Sequence, residues 1–239
     1  MSDNMNLLQI TTDSTDPYPL MDSHAEDGDL RLYLRKIKSA LLGHIGDADA
    51  VLGCVAWLTD PDILVALASK RVVSILVQKE DFLRPDSKDQ GSFHRDLRHA
   101  YGAMPRGDRF DLPSLGSALS TNGDTSFDAI RCVGFSGAER FRPRMHHKFC
   151  VFARFKPIED HPGFYPDWAG RPDWLSPYAA WTGSFNWTKS AANSLENAIF
   201  TTDKKIVQSL TKEWGNCFAL SEPLDWTSEY VEPEYRIGT

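Results

Sequence analysis

The sequence predicts a layered α/β fold, an α/β/α sandwich built on a mixed, largely parallel central sheet. Three observations carry that expectation. Short apolar runs of buried-strand character alternate with segments of helical periodicity between residues 30 and 78. Further strand-like runs recur through the second half of the chain, and an amphipathic helix follows the last of them. With 239 residues, 41% hydrophobic and 25% charged, the chain is long enough for one domain with a proper core.

Taken in order, residues 1–26 are rich in Asp, Ser, Thr and Pro and read as a flexible tail. Leu30, Tyr33, Leu34, Ile37, Leu41 and Ile45 recur at three- and four-residue spacing, which predicts a helix with one apolar face. Residues 49–58 read as a buried strand, and Thr59-Asp60-Pro61 as a helix start with a capping side chain ahead of proline. The short helix leads into a second buried strand, 71–78. Strands are expected at 128–135, 147–152, 178–183 and 196–201. Asp203 then caps a helix carrying Ile206, Val207, Leu210, Trp214 and Phe218. The domain spans 27–220, with insertions at about 79–125 (holding a helix near 92–101) and 154–177, and 221–239 reads as a polar tail.

A net charge of −7 does not advertise a polyanion partner over the whole surface, which argues against a sequence-tolerant nucleic-acid coat. It leaves room for an enzyme that engages one phosphate in a local basic cleft. Cys54, Cys132, Cys150 and Cys217 form no CxxC pair and read as reduced, buried thiols, so no structural zinc site is expected. The first residues lack the cationic start and apolar core of a signal peptide, and the longest apolar run, near 48–58, is too short for a bilayer. The protein is therefore expected to be cytoplasmic, with no stable membrane association.

The chemistry-bearing residues cluster late. Met145-His146-His147-Lys148-Phe149 is answered by Thr182-Gly183-Ser184-Phe185-Asn186-Trp187-Thr188 and then by Glu196-Asn197. A histidine can attack phosphorus while lysine and asparagine hold the non-bridging oxygens, so this set suits phosphodiester cleavage with no metal and no cofactor. On a strand, His146 and Lys148 share a face and His147 points away, which makes His147 a packed or supporting residue. Gly183 permits close backbone approach, and Ser184 and Asn186 offer hydrogen-bond donors. Arg140, Arg142 and Arg144 alternate ahead of the motif and, with Lys148 and Lys189, could form a phosphate-binding groove. Trp168, Trp174, Trp181 and Trp187 are candidates for base stacking.

These residues resemble the phospholipase D superfamily, whose signature is His-x-Lys, four residues, Asp, a gap, then Gly-Ser-x-Asn. The resemblance spans about 28–220 and is strongest over 145–202. It implies the phospholipase D type of α/β/α sandwich, a phosphohistidine at His146, Lys148, Ser184 and Asn186 on the phosphoryl oxygens, and Glu196 orienting the histidine through its other ring nitrogen. His-x-Lys occurs once here, so the resemblance implies a homodimer in which a second His146 protonates the leaving oxygen and later activates water. The expected activity is that of an endonuclease acting on DNA or RNA. The alternatives are a phospholipase D-type lipid hydrolase and a non-catalytic nucleic-acid-binding protein on the same scaffold. One position departs from the signature: Ala153 stands where the aspartate belongs, with Glu159 or Asp160 as possible substitutes. The insertion 154–177 is expected to form a flap over the site.

Overall fold

The structure is a computed structural model that describes residues 9–10, 18–19, 24–83, 91–108, 118–120, 126–136, 143–161, 172–230 and 232–237. Its centre is an eight-stranded sheet. In chain order the strands are β1 (Ala25–Asp27), β2 (Leu30–Tyr33), β3 (Ala50–Val55), β4 (Val72–Gln78), β5 (Ile130–Val133), β6 (Lys148–Pro157), β7 (Asp173–Gly183) and β8 (Ala198–Thr201). Across the sheet they run β5-β4-β3-β6-β7-β8-β2-β1. The sheet is mixed, as expected, but only β5/β4 and β4/β3 pair in parallel, and the five remaining pairings are antiparallel. The reason lies in the connections. The predicted crossovers through helices hold for the parallel strands, whereas β6 and β7 form one long hairpin.

Helices lie on both faces. On one, α1 (Ile37–Asp47), α2 (Pro61–Ala68) and α3 (Ser92–Gly102) pack Leu41, Ile45, Ile63, Leu67 and Leu97 against Val51, Val73, Cys150 and Phe152. On the other, α4 (Lys204–Ala219) packs Val207, Trp214 and Phe218 against Leu52, Leu76, Phe149 and Val151. Consecutive residues of β6 thus feed opposite cores, the period-two pattern of a strand buried on both faces. The predicted caps are present: the Asp60 carboxylate accepts from the Asp62 and Ile63 amides, and the Asp203 carboxylate from the Ile206 amide.

Three expectations change. The first helix begins at Ile37, because Leu30–Tyr33 instead pairs with β8 as a strand and with Ala25–Asp27, which straddles the boundary expected for the tail. The described ends of the insertion 154–177 continue the β6–β7 pairing, with β6 and β7 running ten and eleven residues. Its described part is strand and a single turn of 3-10 helix, and residues 162–171, where a flap would fall, lie outside the described residues. The C-terminal segment is not a polar tail. Trp226 and Tyr235 are buried, and Tyr235–Ile237 pairs with Ala118–Ser120. Glu222 reaches the Lys79 ammonium, which is 0% exposed and also donates to the Tyr230 carbonyl at 2.6 Å.

Candidate active site

Three strand ends converge at one edge of the sheet: the carboxyl ends of β3 and β7 and the amino end of β6 between them. Backbone hydrogen bonds lash the emerging loops together. The Trp187 amide donates to the Trp57 carbonyl at 3.0 Å, and the Thr59 and Asp60 amides donate to the Trp187 carbonyl. Ahead of β6, the Met145 amide donates to Gln78 Oε1 at 2.7 Å, and the Ala56 amide to the His147 carbonyl at 2.9 Å. Gly134 lets the neighbouring chain come this close: its φ is +97°, and a Cβ there would lie 2.5 Å from Gln78 Oε1. Gly183 serves the same end on β7, where a Cβ would stand 2.2 Å from the Asn197 carbonyl oxygen.

On this platform His146 and Lys148 face the same way, as their spacing predicts. Lys148 Nζ lies 3.3 Å from the His146 ring nitrogens and donates to the His146 carbonyl at 3.1 Å. His146 is exposed and Lys148 half-buried. Burial pulls the Lys148 ammonium below the usual lysine range, and the negative charge of Glu196 partly opposes that shift. Among the described residues no carboxylate lies within ion-pair distance of Lys148.

From β7, the Ser184 hydroxyl donates to the Glu196 carboxylate and accepts from the Asn197 amide at 3.1 Å. Glu196 was expected to orient His146. Its hydrogen bond goes to Ser184 instead, and the imidazole meets Lys148 and the edge of Trp57, whose ring centroid is 5.8 Å away. Asn186 is half-buried, and its side-chain carbonyl, an acceptor, has no hydrogen-bond partner among the described residues.

His147 points the other way, as predicted, placing Nε2 3.3 Å from Glu213 on α4. Arg144 pairs with Glu80 at 3.5 Å. Lys189 is exposed and near enough to Asp62 to help hold that carboxyl below its usual range, after the larger effect of Lys38. Arg140, Arg142 and Trp168 lie outside the described residues. Trp181 and Trp187 are 1% and 0% exposed and sit in the core, so neither can stack a base, and Trp174 stands against His161. Ala153 is wholly buried on the α4 face of β6, the side away from Lys148, where a carboxylate would be a charge without a partner. Glu159 and Asp160 cannot replace it at the site, because they lie past the far end of β6, roughly 30 Å along the strand.

Two residues at the site were not singled out from sequence: Trp57 and Glu80. Trp57 edges the His146 ring, and its Nε1 donates to Glu80 at 3.4 Å. Their one signal is position, just past the carboxyl ends of neighbouring parallel strands. A cavity of about 690 Å³ opens on the other side of His146, lined largely by apolar groups including Val133, Phe135, Met145 and Leu220.

The fold and site define an α/β domain with His146, Lys148, Ser184 and Asn186 gathered at one edge of its sheet. A family model described as cardiolipin synthase, PLD-like domain, matches residues 117–217, a span holding every motif residue from His146 to Glu196. That span, less than half of the chain, is similar to the phospholipase D-like domain the model describes. It is 28% identical over 222 residues to the uncharacterized protein L381 of Acanthamoeba polyphaga mimivirus, covering 86% of this chain and 71% of that one. Among solved structures it is similar to Nuc from Salmonella typhimurium, a phospholipase D family member, at 18% identity and a TM-score of 0.44, covering 80% of this chain and 91% of that one. For NucT from Helicobacter pylori the values are 14% and 0.43, with 79% of this chain and 94% of that one covered. Among the described residues no helix is long and apolar enough to cross a membrane.

Proposed function

We propose that this protein is a phosphodiesterase that cuts the backbone of DNA or RNA through a phosphohistidine, with no metal ion in the chemistry. The observation that carries the reading is the pairing of a solvent-open His146 with a Lys148 ammonium that no carboxylate among the described residues neutralises. A ring nitrogen of His146 attacks phosphorus, the P–O bond to the leaving strand breaks, and Lys148 and Asn186 hold the non-bridging oxygens. Ser184 links this edge of the sheet to Glu196, whose charge favours the protonated form of Lys148. The leaving oxygen needs a proton and the phosphohistidine needs an activated water. Both roles fall to a second His146, so the working unit is a homodimer. Arg144 and Lys189 are the described cations of the proposed phosphate track.

A lipid phosphodiester is the second reading, favoured by the apolar cavity with His146 on its rim. The experiment is to incubate the protein in chelator with end-labelled single- and double-stranded DNA, RNA and anionic liposomes, and to quench for covalent adducts. Cleaved nucleic acid and a phosphorylated His146 are expected. Turnover of lipid alone selects the second reading, and unimpaired cleavage by His146→Ala overturns both.

A further inference from the structure

We infer that the opposite face of the motif strand carries a binding site for a zinc-class divalent cation, formed by His147, Glu213 and Cys217. Single ligand atoms of the three residues all lie within 4.8 Å of one another. His147 Nε2 is 3.3 Å from Glu213 Oε1, and Cys217 Sγ is 3.7 Å from that same oxygen. A tetrahedral Zn²⁺, with bonds near 2.1 Å to N and O and 2.3 Å to S, spaces N from O by about 3.4 Å and S from O by about 3.6 Å. Two edges of that figure are therefore already set, and a small shift of the exposed imidazole closes the third.

The surroundings are those of a ligand set. Glu213 and Cys217 sit one turn apart on α4 and present to one side. The other carboxylate oxygen of Glu213 accepts from the Asn216 amide at 3.3 Å, an outer contact that turns Oε1 inward. The backbone of His147 is fixed by the bond from the Ala56 amide. His147 and Cys217 also line the cavity of about 690 Å³, so an ion could enter, and its fourth position would face open space. An imidazole, a thiolate and a carboxylate are a donor set suited to zinc and poorly suited to calcium or magnesium.

This ion would take no part in phosphoryl transfer, because His147 points away from the face shared by His146 and Lys148. It would tie the irregular lead-in to β6 onto α4. Without an ion, the same atoms make a histidine–carboxylate pair with a thiol beside it, and the test separates the two states. Chelator-treated, refolded protein is titrated with Zn²⁺ against a chromophoric competitor and, separately, with Co²⁺ under ultraviolet and visible absorption. One ion per chain, a thiolate-to-cobalt charge-transfer band and a zinc-dependent rise in melting temperature are expected. Cys217→Ser should remove the band, and His147→Ala, a change at the exposed rim that leaves the core intact, should weaken affinity about tenfold or more. Failure of the folded wild type to compete for Zn²⁺, a cobalt spectrum without the thiolate band, or unchanged affinity in His147→Ala would overturn the site. These readouts do not depend on the phosphodiesterase activity.

Discussion

Lys79 and Lys148 stand at the same edge of one sheet and have opposite surroundings. Lys79, just past β4, is 0% exposed and fully engaged: it meets the Glu222 carboxylate and the Tyr230 carbonyl, and lies 4.3 Å from the centre of the Trp226 ring. Lys148, at the start of β6, is half-buried and shares its ammonium with an imidazole and a backbone carbonyl. A buried charge left without a counterion is expensive, so the first lysine is held by partners that the fold supplies. The second has a charge disfavoured by its burial and no ion-pair partner among the described residues. An incoming phosphate would supply what it lacks. The contrast separates a lysine held by the fold from one that, under the proposed function, receives a phosphate.

The largest effect should come from breaking the second lysine. Lys148→Ala is expected to lower kcat/KM for a nucleic-acid substrate by about a thousandfold, or about 4 kcal/mol of transition-state stabilisation. Its melting temperature should stay level or rise slightly, because the change relieves a poorly solvated charge and breaks no ion pair among the described residues. Activity and thermal unfolding measured on one preparation check both halves. A variant that loses stability and activity together would place Lys148 with Lys79.

The first lysine should answer in the opposite way. Glu222→Ala leaves the Lys79 ammonium buried without its carboxylate, and unfolding in urea should show a loss of about 3–5 kcal/mol. Below the unfolding transition, activity per folded molecule should remain. Replacing both partners by apolar residues, Lys79→Met with Glu222→Leu, should recover most of the loss, since the cost lies in the orphaned charge.

Such differences mark the limit of what the sequence discloses. The alternation His146, His147, Lys148 fixed which side chains share a face, and the contacts of His147 with α4 and of Lys148 with His146 agree with it. Asp60 and Asp203 were legible as caps because a cap is settled within three residues. The direction of β6 was not legible. A buried run such as Phe149 to Phe152 looks the same in either orientation, and the path of the preceding chain decides between them. Leu30 and Tyr33 fitted a helical pattern by accident of spacing, and pairing with β8 overrode it. Trp57 beside His146, Glu222 beside Lys79, and Cys217 beside His147 join residues 70 or more positions apart, and no local pattern encodes such pairs.

The smallest expected effect sharpens the comparison most, because it reads the charge of Lys148 directly. If the ammonium is the working form, activity falls at alkaline pH as that proton is lost. Burial lowers the Lys148 pKa, so this limb should lie below the ordinary lysine range, and the negative charge of Glu196 keeps it from falling further. Glu196→Gln removes that charge while keeping a polar partner for Ser184. The pKa of Lys148 should then drop, moving the alkaline limb of kcat/KM to lower pH by about one unit or less. The control is Lys148→Arg, whose guanidinium keeps its proton across the range, so its profile should lose this limb however weak the remaining activity. A limb that moves upward in Glu196→Gln, or persists unchanged in Lys148→Arg, would assign the titration to another group and remove the electrostatic link between Glu196 and Lys148.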